Sequence, residues 1–370
     1  MLSLALGMPA PELIPLRDLG DALDAILTTG PEALQYGVPQ WQLKEQIVDL
    51  MRHRGVNCSP DEVFLTTGAQ QGLYLAAKLL LLDRTPSVAV EELVYPPFLQ
   101  AIVPHNPKLV SIPVDSVTGI DLDALRDAML AGPRPAFLFT TSTGHNPLGL
   151  TMSAKTKAAL VDLAAQFQVP IVEDDVYGFL QYDGTNAEPL RQLEPEWVFY
   201  VSSFSKIIAP GLRVGWMLVP PACMPALSSL KEGLDLDTAT FSQRLVSQYL
   251  SSCRILDHIE HLCAEYRVRR DAMHASLLEH FSARAKWTRP SAGIFFWVEA
   301  ESFGDTSSLL QAALSEGVAF VPGEAFCAAR DARHRDAMRL NFSRWPRPTI
   351  EMAVSRIARA VASQARVAAV

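Results

Sequence analysis

The sequence lacks a long apolar run, an excess of basic charge and a paired set of cysteines, and each absence excludes a class of protein. The apolar run at residues 73–82 is interrupted by Lys78 and falls short of the ~20 residues that a bilayer crossing requires. The net charge of −8 argues against nucleic acid or an anionic membrane as a partner, because both require basic patches. Five cysteines, odd in number and without CxxC spacing, indicate reduced thiols in a cytoplasmic protein and no metal site.

The composition is that of a globular protein with a large core. A chain of 370 residues, 49% hydrophobic and 19% charged, has room for roughly two domains at ~150 residues each. From about residue 60 to 220, short β-branched or aromatic runs alternate with amphipathic helical stretches. This alternation predicts a largely parallel sheet covered by helices on both faces, with functional residues at the carboxyl ends of its strands.

The predicted elements divide the chain into two α/β portions. The strands of the first portion are predicted at 62–67, 87–92, 108–114, 135–141, 169–175, 197–203 and 215–220. Its helices include 122–130 and 153–168, and a long helix is predicted at 254–281. The second portion has predicted strands at 293–299, 316–322 and 338–343. We expect a large domain at 40–255 and a smaller one formed by 1–39 and 256–370.

The segment SSFSKIIAPGLRVGW, residues 202–216, carries the most specific chemical signal. Lys206 follows Ser203 and Ser205 in a small turn, and Arg213 comes seven residues later. A lysine amine can condense with an aldehyde, and two hydroxyls with a guanidinium form a socket for a phosphate dianion. An aldehyde and a phosphate on one molecule describe pyridoxal 5′-phosphate (PLP), which is held as a lysine Schiff base. Taken alone, the motif also fits a surface lysine in a serine-rich loop.

Three further strand ends carry groups that suit the ring of that cofactor. Asp174, at the end of a buried strand, could keep a pyridine nitrogen protonated, although acidic strand ends also bind Mg²⁺ or face solvent. Tyr177 and Asn146 could hydrogen-bond the phenolic oxygen, although Asn-Pro is also a common turn signal. Tyr95 could stack on the ring face or pack in the core.

Two other positions suit anions. The segment TTGAQQGL opens a predicted helix, and the backbone N–H groups of Gly68, Ala69 and Gln70 are candidate phosphate donors. Arg339 lies in an otherwise apolar strand, where an unpaired guanidinium would be costly to bury. Its partner is predicted to be a substrate carboxylate bound through two hydrogen bonds, or else an internal Asp or Glu.

These residues, in this order, resemble the fold type I PLP enzymes, in particular the class I and II aminotransferases that include the kynurenine and 2-aminoadipate enzymes. The resemblance covers nearly the whole chain through the motifs LGMPAPELIP, TTGAQQGL, EELVYPPF, HNPLG, EDDVYGF, SFSK…PGLR, VPGEAF and RLNFS. It implies an α/β fold with a mostly parallel seven-stranded sheet in the large domain. It also implies transfer of an amino group between an L-amino acid and a 2-oxo acid through a Schiff base on Lys206.

The same resemblance implies a role for each candidate residue. Catalytic roles fall to Lys206, Asp174 and Tyr177. The other cofactor contacts would be Gly68, Ala69, Gln70, Tyr95, Asn146, Ser203, Ser205 and Arg213. The substrate would be bound by Arg339, Gly7 and Asn146. Tyr36 would reach the phosphate from the neighbouring subunit, so the resemblance implies a homodimer with a shared active site.

Three departures from the family pattern concern the substrate and the outcome of the reaction. The chain has HNPLG where Gln-Asn-Pro-Thr-Gly is common, the segment 36–47 is shortened, and Ala292-Gly293 replaces a Gly-Gly pair. The alternative function is therefore another PLP reaction: oxidation, decarboxylation, substitution at Cβ or Cγ, or C–C bond formation. A ligand-sensing regulator is a second alternative. The acidic charge and the early start of the family's domain argue against its DNA-binding segment.

Overall fold

The described part of the chain forms two α/β units. The structure is a computed structural model, and it describes residues 1–82, 87–115, 118–184, 186–282, 284–329 and 333–368. The strands in these residues are β1 (Leu2–Ser3), β2 (Val63–Thr66), β3 (Ser87–Glu91), β4 (Lys108–Ile112), β5 (Val114–Asp115), β6 (Gly119–Ile120), β7 (Leu138–Thr140), β8 (Ile171–Asp174), β9 (Val198–Ser203), β10 (Gly215–Leu218), β11 (Lys286–Trp287), β12 (Phe295–Glu299), β13 (Val318–Ala319), β14 (Val321–Pro322) and β15 (Ala337–Asn341). The α-helices are α1 (Leu16–Leu27), α2 (Trp41–Arg52), α3 (Ala69–Leu80), α4 (Pro96–Ile102), α5 (Leu122–Leu130), α6 (Ala154–Phe167), α7 (Leu190–Leu193), α8 (Met224–Asp235), α9 (Thr240–Ser252), α10 (Ile255–Phe281), α11 (Thr306–Ser315) and α12 (Arg347–Ala368).

The predicted seven-stranded, mostly parallel sheet is confirmed. Its strand order is β2-β10-β9-β8-β7-β3-β4, and β10 alone runs antiparallel to its neighbours. Alternate residues of β8 pack on opposite faces: Ile171 joins the core beneath α5 and α6, and Val172 joins the core beneath α3 and α4. The same alternation directs Glu173 towards α6 and Asp174 towards α3. The strand thus presents one carboxylate to each side of the sheet.

Local sequence explains where the covering helices begin. At α5 the carboxylate of Asp121 accepts hydrogen bonds from the backbone N–H groups of Asp123 and Ala124, and at α6 the hydroxyl of Ser153 accepts one from Thr156. Such caps satisfy amide donors that the first helical turn leaves without partners. The predicted helices at 122–130 and 153–168 are confirmed to within two residues at each end.

The second unit contains a four-stranded antiparallel sheet of order β11-β12-β15-β14, packed against α10 to α12. The strand predicted at 316–322 is two strands. Val318–Ala319 pairs in parallel with Leu2–Ser3, and Val321–Pro322 pairs with β15. The break lets the N-terminal segment lie beside this unit. The division of domains at about residues 40 and 255 stays a prediction.

Among the described residues, no helix is both long enough and apolar enough to cross a bilayer.

Candidate active site

A cavity of about 150 Å³ lies at the carboxyl ends of the parallel strands, beside the start of α3. Residues from β8, β9 and four loops reach it, as expected for a site at a strand-end crevice. The predicted residues that line it are Ala69, Gln70, Tyr95, Asn146, Asp174, Tyr177, Ser203, Ser205, Lys206 and Arg213. Positions separated by more than 140 residues in the chain therefore share one small space.

One end of the cavity is built for an anion. The hydroxyl of Ser203 donates to that of Ser205 at 2.8 Å, and Arg213 donates from Nη1 to the Ser205 hydroxyl at 3.3 Å. Gly68 caps α3 with φ at 74°, and no side chain caps the first N–H groups of the helix. The N–H of Gly68 itself donates to the carbonyl of Thr66 at 2.8 Å, so this predicted phosphate donor already has a partner. The positive φ of Gly68 favours glycine at this position, and a Cβ there would displace the Arg213 guanidinium, which lies 2.3 Å away.

Lys206 lines the cavity. Its Nζ donates to the carbonyl oxygen of Gly7 at 2.7 Å, which places the predicted substrate residue Gly7 at the same site. Burial lowers the pKa of Lys206 to about 8, because removal from water disfavours the charged amine, and Arg339 and Arg213 add to this while Asp174 opposes it. A larger fraction of this amine is therefore neutral near neutral pH than for an exposed lysine.

Asp174 is buried, and one of its carboxylate oxygens, Oδ1, has no hydrogen-bond partner among the described residues. Burial, and then the neighbouring charge of Asp175, raise the pKa of Asp174 to about 7. A buried, unpartnered carboxylate is costly, so this position favours a cationic or hydrogen-donating ligand.

Arg339 stands beside the cavity between two aromatic rings. Its guanidinium carbon lies 4.0 Å from the ring centre of Phe295 and 4.7 Å from that of Phe326. Nη1 donates to the Asn146 side-chain oxygen at 2.6 Å, Nη2 donates to the carbonyl of Ala5, and Nε has no partner among the described residues. Burial lowers the pKa of Arg339 to about 10. No described Asp or Glu side chain pairs with Arg339, and its contact with a substrate carboxylate stays a prediction.

The two predicted ring contacts are tyrosines that stay protonated. Burial raises the pKa of Tyr95 to about 12 and raises that of Tyr177 further. The Tyr177 ring meets Phe295 edge-on, with centres 5.7 Å apart. Both hydroxyls can therefore donate hydrogen bonds at any physiological pH.

Tyr36 is the one predicted site residue that the chain does not bring near the cavity. It is 90% exposed and lines a separate groove between α2 and α8. Its predicted contact belongs to a neighbouring subunit, so that role stays a prediction.

No sequence pattern identified the residues that contact the site residues from outside the cavity. Arg54 pairs with Asp175, and Phe295 and Phe326 enclose Arg339. Arg54 follows an amphipathic helix at a place where a basic residue normally faces solvent, and the two phenylalanines have the pattern of core residues. The pattern offered no signal for any of them. His145, interpreted as structural, is buried with Nε2 3.0 Å from Glu91.

The residues of the cavity fit PLP. The lysine amine can form the Schiff base, the cradle of Ser203, Ser205 and Arg213 suits a phosphate, and the free oxygen of Asp174 suits a pyridinium.

The family model of aminotransferase class I and II matches residues 14–357. The chain is 35% identical to an aromatic-amino-acid aminotransferase of Thermococcus litoralis, over 98% of this chain and 88% of that protein. It also superposes on the kynurenine aminotransferase of Pyrococcus horikoshii, solved with PMP, with a TM-score of 0.92, 33% identity and coverage of 98% and 91%. The α-aminoadipate aminotransferase of Thermus thermophilus, solved with N-(5′-phosphopyridoxyl)-L-leucine, matches with a TM-score of 0.92, 32% identity and coverage of 99% and 93%.

Proposed function

The chain belongs to the class I and II aminotransferases, and we propose that Lys206 is the residue on which its amino-group transfer depends. The protein uses PLP to move an amino group between an amino acid and a 2-oxo acid. The observation that carries the assignment of Lys206 is its buried amine, with a pKa lowered to about 8, in a cavity that is also lined by Asp174, Ser203, Ser205 and Arg213.

PLP, when bound, supplies a cationic ring that stabilises negative charge on the α-carbon of an amino acid. Asp174 would hold the ring nitrogen, Asn146 and Tyr177 the phenolic oxygen, and Tyr95 the ring face. The phosphate would be held by Ala69, Gln70, Ser203, Ser205 and Arg213, with Gly68 next to it at the start of α3. These roles are supported by the way each group lines or borders one cavity.

Lys206 is also the proposed proton carrier. An amine whose pKa lies near the working pH accepts a proton readily and returns it readily. The carbonyl of Gly7, 2.7 Å from Nζ, gives the protonated amine a hydrogen-bond acceptor. Lys206 can therefore accept the α-proton of the substrate and donate it to another atom within the same cavity.

Arg339 is the proposed binding residue for the α-carboxylate of the substrate. Its two stacked rings and its hydrogen bond to Asn146 hold the guanidinium plane in one orientation before any ligand arrives. A fixed carboxylate restricts how the substrate can turn, so that the α-proton is presented to Lys206. Gly7 leaves room there, because a Cβ at this position would lie 2.9 Å from the Phe295 ring.

The substitution Lys206→Ala tests the proposal. Borohydride should trap a covalent PLP adduct on the unaltered protein at Lys206 and none on the variant, and single-turnover half-reactions should slow by about 10²-fold or more. Lys155→Ala, which changes an exposed lysine on α6, is the matched control and should retain both properties. Normal turnover by Lys206→Ala would refute the assignment.

The donor amino acid is identified by a half-reaction screen that follows conversion of bound PLP to its amine form. The names of the relatives set the first panel: aromatic amino acids, kynurenine and 2-aminoadipate. Release of CO₂ or consumption of O₂ with every donor, in place of the amine form, would indicate a different PLP reaction.

We propose that the enzyme is a homodimer in which Tyr36 of one subunit completes the phosphate site of the other. The support is a group of exposed apolar side chains around this position, which would be costly in a monomer: Leu34, Tyr36, Val38 and Trp41. Mixing inactive Lys206→Ala chains with weakened Tyr36→Ala chains tests the arrangement. Hybrid dimers would contain one site without either defect, so activity should rise on mixing. Unchanged activity, or a monomer by light scattering, would contradict it.

We also propose a cytoplasmic location, supported by the free thiols of the five cysteines. Cell fractionation checks this proposal.

A further inference from the structure

A buried ion pair lies directly behind Asp174. The side chains of Arg54 and Asp175 are 3% and 0% exposed, and Nη2 of Arg54 lies 3.0 Å from Oδ2 of Asp175. The hydroxyl of Tyr200 donates to the same oxygen at 3.0 Å. Asp175 follows Asp174 in the chain, so the two carboxylates are separated by a single peptide unit.

The backbone of Asp175 is held as firmly as its side chain. Its N–H donates to the carbonyl of Val201 at 2.9 Å, and its carbonyl accepts from the hydroxyl of Ser202 at 3.0 Å. A Cβ on Gly178 would lie 2.1 Å from Oδ2 of Asp175 and 2.6 Å from Nη2 of Arg54. The glycine of the EDDVYGF motif therefore leaves the space that this ion pair occupies.

Two adjacent buried carboxylates repel each other unless a cation compensates one of them. Nη1 of Arg54 donates to the Ala187 carbonyl at 2.7 Å, so the guanidinium is fixed in place and cannot follow Asp174. Arg54 therefore pairs with Asp175 and not with Asp174, and the Asp174 carboxylate stays available to a ligand in the cavity.

We propose that Arg54 is a positioning residue for amino-group transfer: through Asp175 it fixes the adjacent Asp174 and balances the second negative charge beside it. The inference rests on the proposed function, because the orientation and charge of Asp174 matter to the reaction only if Asp174 pairs with the ring nitrogen of PLP.

Other charged or titratable groups also face these carboxylates. Those around Asp174 are Asp175, Lys206, His145, Tyr95 and Tyr177. Those around Asp175 are Arg54, Tyr200, Glu173 and Lys157. Asp175 already contributes to the raised pKa of Asp174 with its partner present. Loss of that partner should raise this pKa further.

The test compares Arg54→Met with the double variant Arg54→Met/Asp175→Asn in the apoprotein. Carboxyl ¹³C NMR of labelled aspartate, assigned through Asp174→Asn, gives the pKa of Asp174 in each. We expect Arg54→Met to raise it by about one unit or more, which is a tenfold change in the proton-binding constant of this carboxyl, and to weaken PLP binding. The double variant, which carries neither charge, should reverse both changes.

Arg270→Met is the matched control, because Arg270 is also buried and paired with a carboxylate, that of Asp183. It should lower thermal stability without moving the pKa of Asp174. If Arg54→Met does not fold, Tyr200→Phe removes only one donor to Asp175 and should move that pKa upwards by a smaller amount. An unchanged pKa of Asp174 in the folded variant would overturn the inference. This titration needs no PLP, so its failure is distinct from a failure of Lys206 to bind the cofactor.

Discussion

Lys206 and Gly7 lie 199 positions apart in the sequence, yet the amine of one donates to the carbonyl oxygen of the other at 2.7 Å. The contact brings the N-terminal segment over the carboxyl ends of the large sheet. The same segment also pairs, through β1, with β13 of the second unit, so it contacts both units. On this side the segment faces Lys206 with the carbonyl of Gly7, and a Cβ at Gly7 would lie 2.9 Å from the Phe295 ring.

The lowered pKa of Lys206 predicts how PLP binding to the apoprotein depends on pH. Only the neutral amine attacks an aldehyde, so the association rate should rise with pH and level off above about 8. Stopped-flow absorbance measures this rate. Pyridoxamine phosphate, which has no aldehyde, is the control ligand and should show no such rise. A profile that keeps rising to pH 10 would mean that burial does not lower the pKa of this amine.

Asp174→Asn should stabilise the apoprotein while impairing the loaded enzyme. The pKa of Asp174 is raised to about 7 in the folded state, so the folded chain binds more protons than the unfolded chain between about pH 4 and 7, and stability falls as pH rises through that window. The free energy of unfolding of the variant should therefore exceed that of the unaltered apoprotein by on the order of 2–4 kcal/mol at pH 8, and by less towards pH 4. Thermal unfolding at several pH values checks the sign. A loss of stability at pH 8 would contradict it.

Arg213→Met should lower the affinity for PLP, and only through the loss of a contact with the phosphate group. The guanidinium donates to the Ser205 hydroxyl and lies against Gly68, at the anion end of the cavity. Charge-assisted hydrogen bonds contribute about 1.5–3 kcal/mol, so affinity for PLP should fall about 10- to 100-fold. Equilibrium titration measures this, and pyridoxal without phosphate serves as the comparison. An equal loss of affinity for both ligands would mean that Arg213 does not act through the phosphate.

Phe326→Leu should raise KM more than it lowers kcat. The ring lies 4.7 Å from the guanidinium of Arg339, and a cation–π contact contributes about 0.5–2 kcal/mol, equivalent to roughly 3- to 30-fold in KM. Phe303→Leu, at a buried ring that packs on Phe281, is the control for lost core volume and should leave KM unchanged. Arg339→Lys should raise KM more than Phe326→Leu does, because lysine cannot offer two parallel donors. Steady-state kinetics with both substrates decides among these outcomes.

The order of strands and helices was predictable because local pattern determines it. Apolar runs of strand length alternate with helical periodicity, and caps such as Asp121 and Ser153 mark helix starts. Two predicted strands, at 108–114 and 316–322, are each two short strands with different partners, which the sequence pattern shows as a single apolar run. Local pattern carries no information about which partner a strand will meet.

The sequence by itself determined the chemistry of the site: a lysine among serines, an arginine in an apolar strand and a carboxylate at a strand end. Only the tertiary structure decided which buried charges compensate each other. Arg54 reaches Asp175 across 121 positions, and Arg339 meets two rings and no carboxylate among the described residues. The reason is physical: the charge state of a buried group depends on its neighbours in space, and those are set by how distant segments of the chain pack within each unit.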